Sequence, residues 1–296
     1  MRFDLRHIRY FMAVAEELHF RRAAERLGVA QPALSRAVKH LEIELDVLLF
    51  ERSNRSVRMT SAGEAFYNGS ESLWRCLESA VENTKLASQG KSGPLRIGYT
   101  DAAISGRLPN LLKDFQKLQP NVVIQPMNYT SVNQIDMLET DALDIGFVTG
   151  PVTRKGYDTC HISFEKYICV VGDEHPLATR RSVRLEELAD ENFVHGEQKG
   201  WQQFHAGLFP LCQSRGFTPR IVQEAFNSAG VLSLVSAAMG ITILAESAQN
   251  SLCPGVVVIP IEDVNEKLET IALWQPGSAD SPLALFVDYL LQAVYV

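Results

Sequence analysis

No stretch of this sequence is both long and apolar enough to suggest a membrane span. The most hydrophobic run, Val231 to Ala245, is about 15 residues and is broken by Ser233, Ser236, Gly240 and Thr242. No signal-peptide core is expected either, because Arg2, Asp4, Arg6 and Arg9 interrupt the first helical length. A soluble, cytoplasmic protein without a membrane partner is the expectation. Cysteine is scarce: Cys76, Cys160, Cys169, Cys212 and Cys253 are odd in number, far apart and without CxxC or Cys/His ligand spacing. They read as reduced, buried thiols, with no metal site; a switch disulfide between two of them is the redox alternative. The sequence also lacks a Gly-rich phosphate loop, HExxH and GxSxG, and its histidines are scattered. Neither an enzyme nor a bound cofactor is expected. His195 and Glu197 can be read as an acid/base pair, but two residues apart on a strand-like segment they share a face for ligand contact just as readily.

What is present is enough chain for about two domains, 296 residues with 46% hydrophobic and 21% charged side chains. The net charge of −7 is unevenly spread. Residues 1–60 hold 11 Lys+Arg against 8 Asp+Glu, a local +3, which leaves 17 against 27, or −10, for the other 236. A basic head on an acidic body lets the head meet phosphate while the body stays clear of it.

Within the head, Leu5, Ile8, Phe11 and Val14 recur at helical spacing and predict a first helix. Phe20, Ala23, Ala24 and Leu27 form the inner face of a second, which Gly28 ends in the left-handed conformation that only glycine adopts without strain. Pro32 then sits near the start of a third, where its missing N–H is no loss. That helix is expected to bury Leu34, Val38, Leu41 and Leu45 and to expose Gln31, Ser35, Arg36, Lys39 and His40. This is a helix-turn-helix whose polar row offers amide and guanidinium groups to base edges and a hydroxyl and an ammonium to phosphate. The plainer alternative is the solvated face of a three-helix bundle. The candidate DNA contacts are Arg22, Gln31, Pro32, Ser35, Arg36 and Lys39. Two short extended pieces around Ser53–Ser56 follow, a β-wing that adds Arg52, Arg55 and Arg58. Thr60 or Ser61 is expected to cap a long helix running to about Gln89. Its seam Phe66, Leu73, Leu77, Ala80, Thr84, Ala87 needs a second helix to cover it, which a dimer supplies. Gly90, Ser92, Gly93 and Pro94 make a hinge.

The succession of a helix, the motif AAERLGVAQPALSRAVKHLEIELDVLLFER, a wing, TSAG, a long helix and LRIGY resembles the LysR-type transcriptional regulators, strongly over residues 5–66 and across the whole chain thereafter. The resemblance implies a winged helix-turn-helix over 1–60, a dimerising linker helix over 61–90, and an effector-binding domain over 91–296 built like the type 2 periplasmic binding proteins. It further implies operator DNA as partner, a dimer that commonly doubles to a homotetramer, a small-molecule effector, and contact with RNA polymerase.

The residues of the body fit an α/β class. Short apolar strands (Leu95–Tyr99, Val122–Ile124, Asp144–Val148) alternate with helices, which points to a parallel sheet, and a second unit begins at Tyr167. Two crossings between subdomain I (91–163 and 266–296) and subdomain II (164–265) would give a hinged cleft. By resemblance to benzoate- and muconate-responsive members, that cleft would be lined by Thr100, Asp101, Ala102, Thr130, Ser131, Val148, Thr149, His195, Glu197, Trp201, Phe204 and Asn227. Asp101 stands where that subgroup tends to have serine, and Thr149 where it tends to have an arginine. Both departures favour an effector that is neutral and hydroxylated or amine-bearing over a dicarboxylate, with Asp101 or Glu197 accepting its hydrogen bonds. The alternative is that Asp101 caps the helix starting near Ser105 and Arg107, or pairs with an arginine. A transport-type solute-binding protein is the rival reading of the body, opposed by the missing export signal and the DNA-binding head.

Overall fold

A computed structural model describes residues 3–52, 57–88, 93–277 and 281–294. The chain divides into two compact units, Met1–Val81 and Glu82–Val296.

In the first unit, α1 (Leu5–Glu17) is started by Asp4, whose carboxylate accepts from the amides of Arg6 and His7. The helices α2 (Phe20–Leu27) and α3 (Gln31–Leu45) follow, joined through Gly28 at φ 66°. Phe11, Val14, Ala23, Ala24, Leu34, Val38 and Leu41 are buried together, and the two alanines let the helices approach closely. The small hairpin β1 (Phe50–Arg52) and β2 (Val57–Met59) is antiparallel, with Glu51 opposite Arg58. One buried charge was not legible in the sequence pattern. Glu42, 7% exposed, turns inward and accepts from the amides of Leu49 at 3.0 Å and Phe50 at 3.2 Å, so a carboxylate on α3 fixes the backbone that enters the wing. The long helix α4 (Ser61–Ser88) is capped by Thr60, whose hydroxyl accepts from the Gly63 amide at 2.9 Å.

Three expectations in this unit change. His40 is half-buried and its ring lies 5.1 Å from that of His7, so it is no part of the exposed row. Ser35 and Leu45 are also half-buried, at the border between the two faces of α3. Phe66 packs on Phe11 at 5.1 Å and Phe3 at 6.3 Å and so belongs to the head's own core; the exposed stripe of α4 begins at Leu73. Arg55 and the side chains of Arg52 and Ala87 lie outside the described residues.

The second unit is built on two sheets. The first has the order β4 (Val123–Asn128), β3 (Pro94–Tyr99), β5 (Ile145–Thr149), β12 (Leu268–Trp274), β6 (Asp158–Glu165). Its first three strands are parallel, β3 and β4 each leading to a capped helix at the carboxyl end, while β12 runs antiparallel to β5 and β6. The helices α5 (Asp101–Ser105), α6 (Leu108–Leu118), α7 (Ser131–Glu139) and α10 (Pro282–Val294) belong to this subdomain. The second sheet joins β10 (Thr242–Ala245), β7 (Tyr167–Gly172) and β11 (Val256–Pro260), all antiparallel. A bridge between Phe193 and Ile241 attaches the parallel pair β8 (Asn192–Gly196) and β9 (Arg220–Ala225). Helices α8 (Gln202–Ser214) and α9 (Ser228–Ser236) complete it. The expectation of a parallel sheet therefore holds only for β3–β4–β5 and β8–β9. Alternation of strands and helices cannot report direction where the chain crosses subdomains, as it does after Glu165 and again between Pro260 and Leu268. Strand β6, on the first crossing, was not anticipated.

A close approach fixes the cleft side of the first sheet. Gly98 on β3 and Gly146 on β5 are register partners, and the side chain of Gln134 on α7 lies over both. A Cβ on Gly98 would meet Leu143 Cδ1 at 2.6 Å and Gln134 Cγ at 2.9 Å. Gln134, fully buried, donates to the carbonyls of Tyr129 at 2.8 Å and Phe147 at 3.3 Å and so ties the start of α7 to the ends of β4 and β5. Gly98→Ala is expected to destabilise this unit by about 1–3 kcal/mol through overpacking. Urea unfolding followed by Trp274 fluorescence would measure it, and an unchanged midpoint would remove the packing role assigned to the glycine pair.

Candidate functional site

The structure offers two surfaces with functional chemistry. On the head, Gln31, Pro32, Arg36 and Lys39 are exposed along one side of α3, and Arg36 and Lys39 make no ion pair among the described residues. Arg58 is exposed on β2. Arg22 is engaged within the head: its guanidinium donates to the Glu17 carbonyl at 2.6 Å and pairs with the Glu17 carboxylate at 3.4 Å. Arg21 and Arg26 are likewise paired, with Glu25 and with Glu16 and Glu17. Arg36 and Lys39 on α3 are thus open to a phosphate or a base edge, as is Arg58 on the wing, whereas the arginines of α2 are engaged.

In the second unit a cavity with about 680 Å³ of empty space, counted out to its mouth, opens between the two sheets. Its wall includes Thr100, Asp101, Ala102, Thr130, Ser131, Thr149, Trp201 and Phe204 from the expected set. Several of these are held by backbone. The Thr100 and Thr130 hydroxyls cap α5 and α7, and the Ser131 hydroxyl accepts from the Thr149 amide at 3.0 Å. Trp201 precedes α8 and donates from Nε1 to the Phe226 carbonyl at 3.3 Å. Its ring and that of Phe204, 5.4 Å apart, form the aromatic side.

Four expected residues do not line the cavity. Val148 is fully buried against Ile135 and Leu138, because successive β5 side chains point to opposite faces. Asn227 is spent as the cap of α9, accepting from the Gly230 amide at 2.9 Å. Glu197 lies exposed in the turn after β8. His195 is fully buried behind the aromatic wall, with Nδ1 2.9 Å from Nε2 of His205. The acid/base pair suggested by sequence spacing therefore does not form. The helix start around Asn227 does face the gap, through Ser228. Residues missed by sequence include Asn128 and Tyr129 just before Thr130, Gln203 two beyond Trp201, Phe226 just before Asn227, and Leu244, Ala245, Ser247 and Ala248. The first four adjoin expected positions; the last four come from a segment that only the second sheet brings to the cleft.

Asp101 is the single ionisable acid or base among the wall residues apart from the Tyr129 phenol. One carboxylate oxygen accepts from Asn128 Nδ2 at 2.8 Å and the other from the Ser228 amide at 2.6 Å. It thus caps α9, across the cleft, and neither caps α6 nor pairs with an arginine. Further polar ties from the first sheet and α5 to the segment after β10 lie beside the strand crossings. The Ser247 amide donates to Glu165 at 2.8 Å, and Asn250 donates to the Ser105 carbonyl at 2.9 Å. Gln203 Oε1 is buried at the cavity wall without a hydrogen-bond partner among the described residues.

Burial holds the His195–His205 pair neutral. Desolvation and the neighbouring His205 push His195 down to about 3, and desolvation pushes His205 down to about 4. The rings pack among Trp201, Phe204 and Phe209 and so back the aromatic wall. Burial likewise pushes the Cys169 and Cys212 thiols up to about 12, which keeps them from the reactive thiolate form. All five cysteines are free, with Cys160, Cys169 and Cys212 buried. No helix among the described residues is long and apolar enough to cross a membrane, and no group of His, Cys, Asp and Glu among them could hold a metal ion.

Comparison with known proteins accords with both surfaces. The family described as "Bacterial regulatory helix-turn-helix protein, lysR family" matches residues 5–64, and "LysR substrate binding domain" matches residues 88–294. The chain is 34% identical over 284 residues to the HTH-type transcriptional regulator AlsR of Bacillus subtilis, covering 96% of this chain and 94% of that protein. It is 33% identical to the uncharacterized HTH-type transcriptional regulator YnfL of Escherichia coli, covering 99% and 100%. Among solved structures, CbnR, a LysR family transcriptional regulator, superposes with a TM-score of 0.83 at 23% identity over 99% of each chain, a likeness of fold. Full-length BenM gives 0.58 at 26% identity, covering 98% of this chain and 96% of that one.

The buried histidines give a pH signature. Below about pH 6.5 the unfolded chain protonates both rings while the folded chain leaves them neutral. Their contribution to stability is therefore complete above that pH and falls as pH drops towards 4 and 3, by about 1.4 kcal/mol per pH unit for each ring. Thermal midpoints between pH 6.5 and 5 should decline, and His205→Gln, which keeps a hydrogen bond to His195 but does not titrate, should flatten the decline by about one proton. A wild-type midpoint constant over this range would rule out the neutral pair.

Proposed function

Because this chain belongs to the LysR family of helix-turn-helix transcriptional regulators, we propose that α3 reads an operator and that the cavity between the two sheets takes the small molecule controlling it. The protein is a DNA-binding transcriptional regulator with a C-terminal effector-binding domain. The observation that carries the finer reading is the pair of unengaged cations, Arg36 and Lys39, beside Gln31 on the exposed face of α3. Arg36 suits a bidentate contact with a guanine edge and Gln31 one with adenine, while Lys39, Ser35 and the Pro32 end of the helix meet the backbone. Arg52, Arg55 and Arg58 of the wing would follow the phosphates, with Arg22 in a supporting place.

Residues 1–60 act as the DNA-binding domain, 61–90 as a dimerising linker, and 91–296 as the effector domain, with subdomain I at 91–163 and 266–296 and subdomain II at 164–265. Leu73, Leu77 and Val81, exposed by 44%, 37% and 49%, lie four residues apart on α4 and supply the apolar seam. Pairing two such helices places two heads on two half-sites, and doubling the dimer gives a tetramer. The effector is neutral and hydroxylated or amine-bearing, a class supported by the absence of any Lys, Arg or His from the wall and by the unsatisfied Gln203 oxygen, which calls for a donor. The protein works in the cytoplasm, binds its effector without turning it over, and passes the signal to RNA polymerase.

An operator selected from random duplexes would test the DNA reading. Arg36→Ala should weaken the selected site by about 1–3 kcal/mol and relax preference at one base pair, whereas Arg58→Ala should weaken all duplexes alike and reduce the salt slope by about 1. An unaltered base preference in the Arg36 variant would end its base-reading role. In the same protein, Leu77→Asp should lower the mass seen by sedimentation, and an unchanged oligomer would exclude the α4 seam as the dimer contact.

A further inference from the structure

The closed contact between Asp101 and α9 points to a role for this side chain that its place in the wall alone does not reveal. α9 has nine residues and points its amino end at the cavity, where the Ser228 amide would be open to a ligand. The chain fills that position with its own carboxylate at 2.6 Å, reaching from subdomain I and held there by Asn128 of the same subdomain. Among the described residues no Lys, Arg or His lines the cavity to offset a second negative charge. We infer that Asp101 is the specificity-determining residue of the cavity, a tethered carboxylate that occupies the place a ligand carboxylate would take. The inference rests on the reading of the cavity as the effector site.

It has two consequences. Carboxylate ligands are excluded because their charge would meet Asp101 and the amide they need is already used. Ligands that donate hydrogen bonds are admitted, because each Asp101 oxygen keeps an acceptor position beside its bond to Asn128 or Ser228.

The test uses the full chain with benzoate and its neutral isostere benzamide as probes, read by titration calorimetry and by Trp201 emission, identified by comparison with Trp201→Phe. Wild type should bind benzoate no better than benzamide. Asp101→Ala should bind benzoate about tenfold or more tightly than wild type does, with a response from Trp201 and no comparable gain for benzamide. Asp101→Asn, which removes the charge but keeps an acceptor for Ser228, serves if the alanine variant fails to fold, and should show a smaller gain of the same sign. Equal benzoate binding by wild type and variants with a Trp201 response would overturn the role of Asp101 while leaving the cavity as a ligand site. Absence of benzoate binding in every variant would overturn it as well. Binding gained without a Trp201 response would place the anion elsewhere and remove both this inference and the effector-site reading beneath it.

Discussion

The cavity depends first on how closely α7 can settle onto the first sheet. Gly98 and Gly146 leave the backbone of β3 and β5 bare at one level, and Gln134 uses the space to hold the carbonyls of Tyr129 and Phe147. The positions of Thr130, Ser131 and Thr149 follow from that contact, because the capped start of α7 and the end of β5 are locked to each other by the Ser131 hydroxyl. Side chains that would otherwise serve ligand binding are thus partly consumed in building the wall. What remains for recognition is the direction of the helix ends, the Gln203 oxygen and the aromatic face of Trp201 and Phe204.

The head follows a similar rule, with charge turned inward where it fixes backbone and outward where it is left unpaired. Glu42 is buried on α3 and holds the chain that enters the wing, while Arg36 and Lys39, on the same helix, remain open. The arginines of α2 are answered by the glutamates of α1 and α2. The formal +3 of the first 60 residues therefore understates how local the usable positive charge is. The exposed face of α3 and the wing carry it, and the weakness of one such head explains why pairing of heads is part of the proposed DNA-binding device.

The head was legible in the sequence because each helix carries its own punctuation: Gly28 at φ 66°, Pro32 in the first turn of α3, and Thr60 ahead of α4. The body was legible only to the level of elements. Strand direction in the second sheet and the existence of β6 depend on pairings far apart in sequence, such as β6 with β12, that periodicity does not encode. The site divides in the same way. Residues immediately after β3 and β4 could be named because helix caps mark them, whereas Leu244, Ala245 and Ser247 reach the cleft only once the second sheet is assembled. Phe66 and His195 misled for one reason: each lies on a pattern that permits either face, and packing against Phe11 in one case and His205 in the other decides it.

The balance of charge in the cavity comes down to magnitudes. The amino ends of α5, α7, α8 and α9 all line it, and by themselves would favour an anion by about 0.3–1 kcal/mol each. A ligand carboxylate placed about 4 Å from the Asp101 carboxylate would lose about 4 kcal/mol at the effective dielectric of a partly exposed site. The repulsion is at least as large as the four helix ends together, and one of those ends is already satisfied by Asp101 itself. An incoming hydroxyl or amine meets the opposite situation, since it can donate to Asp101 without adding negative charge. The same carboxylate therefore decides two things at once, which ligands the cavity admits and how firmly α9 is tied across the cleft before any ligand arrives.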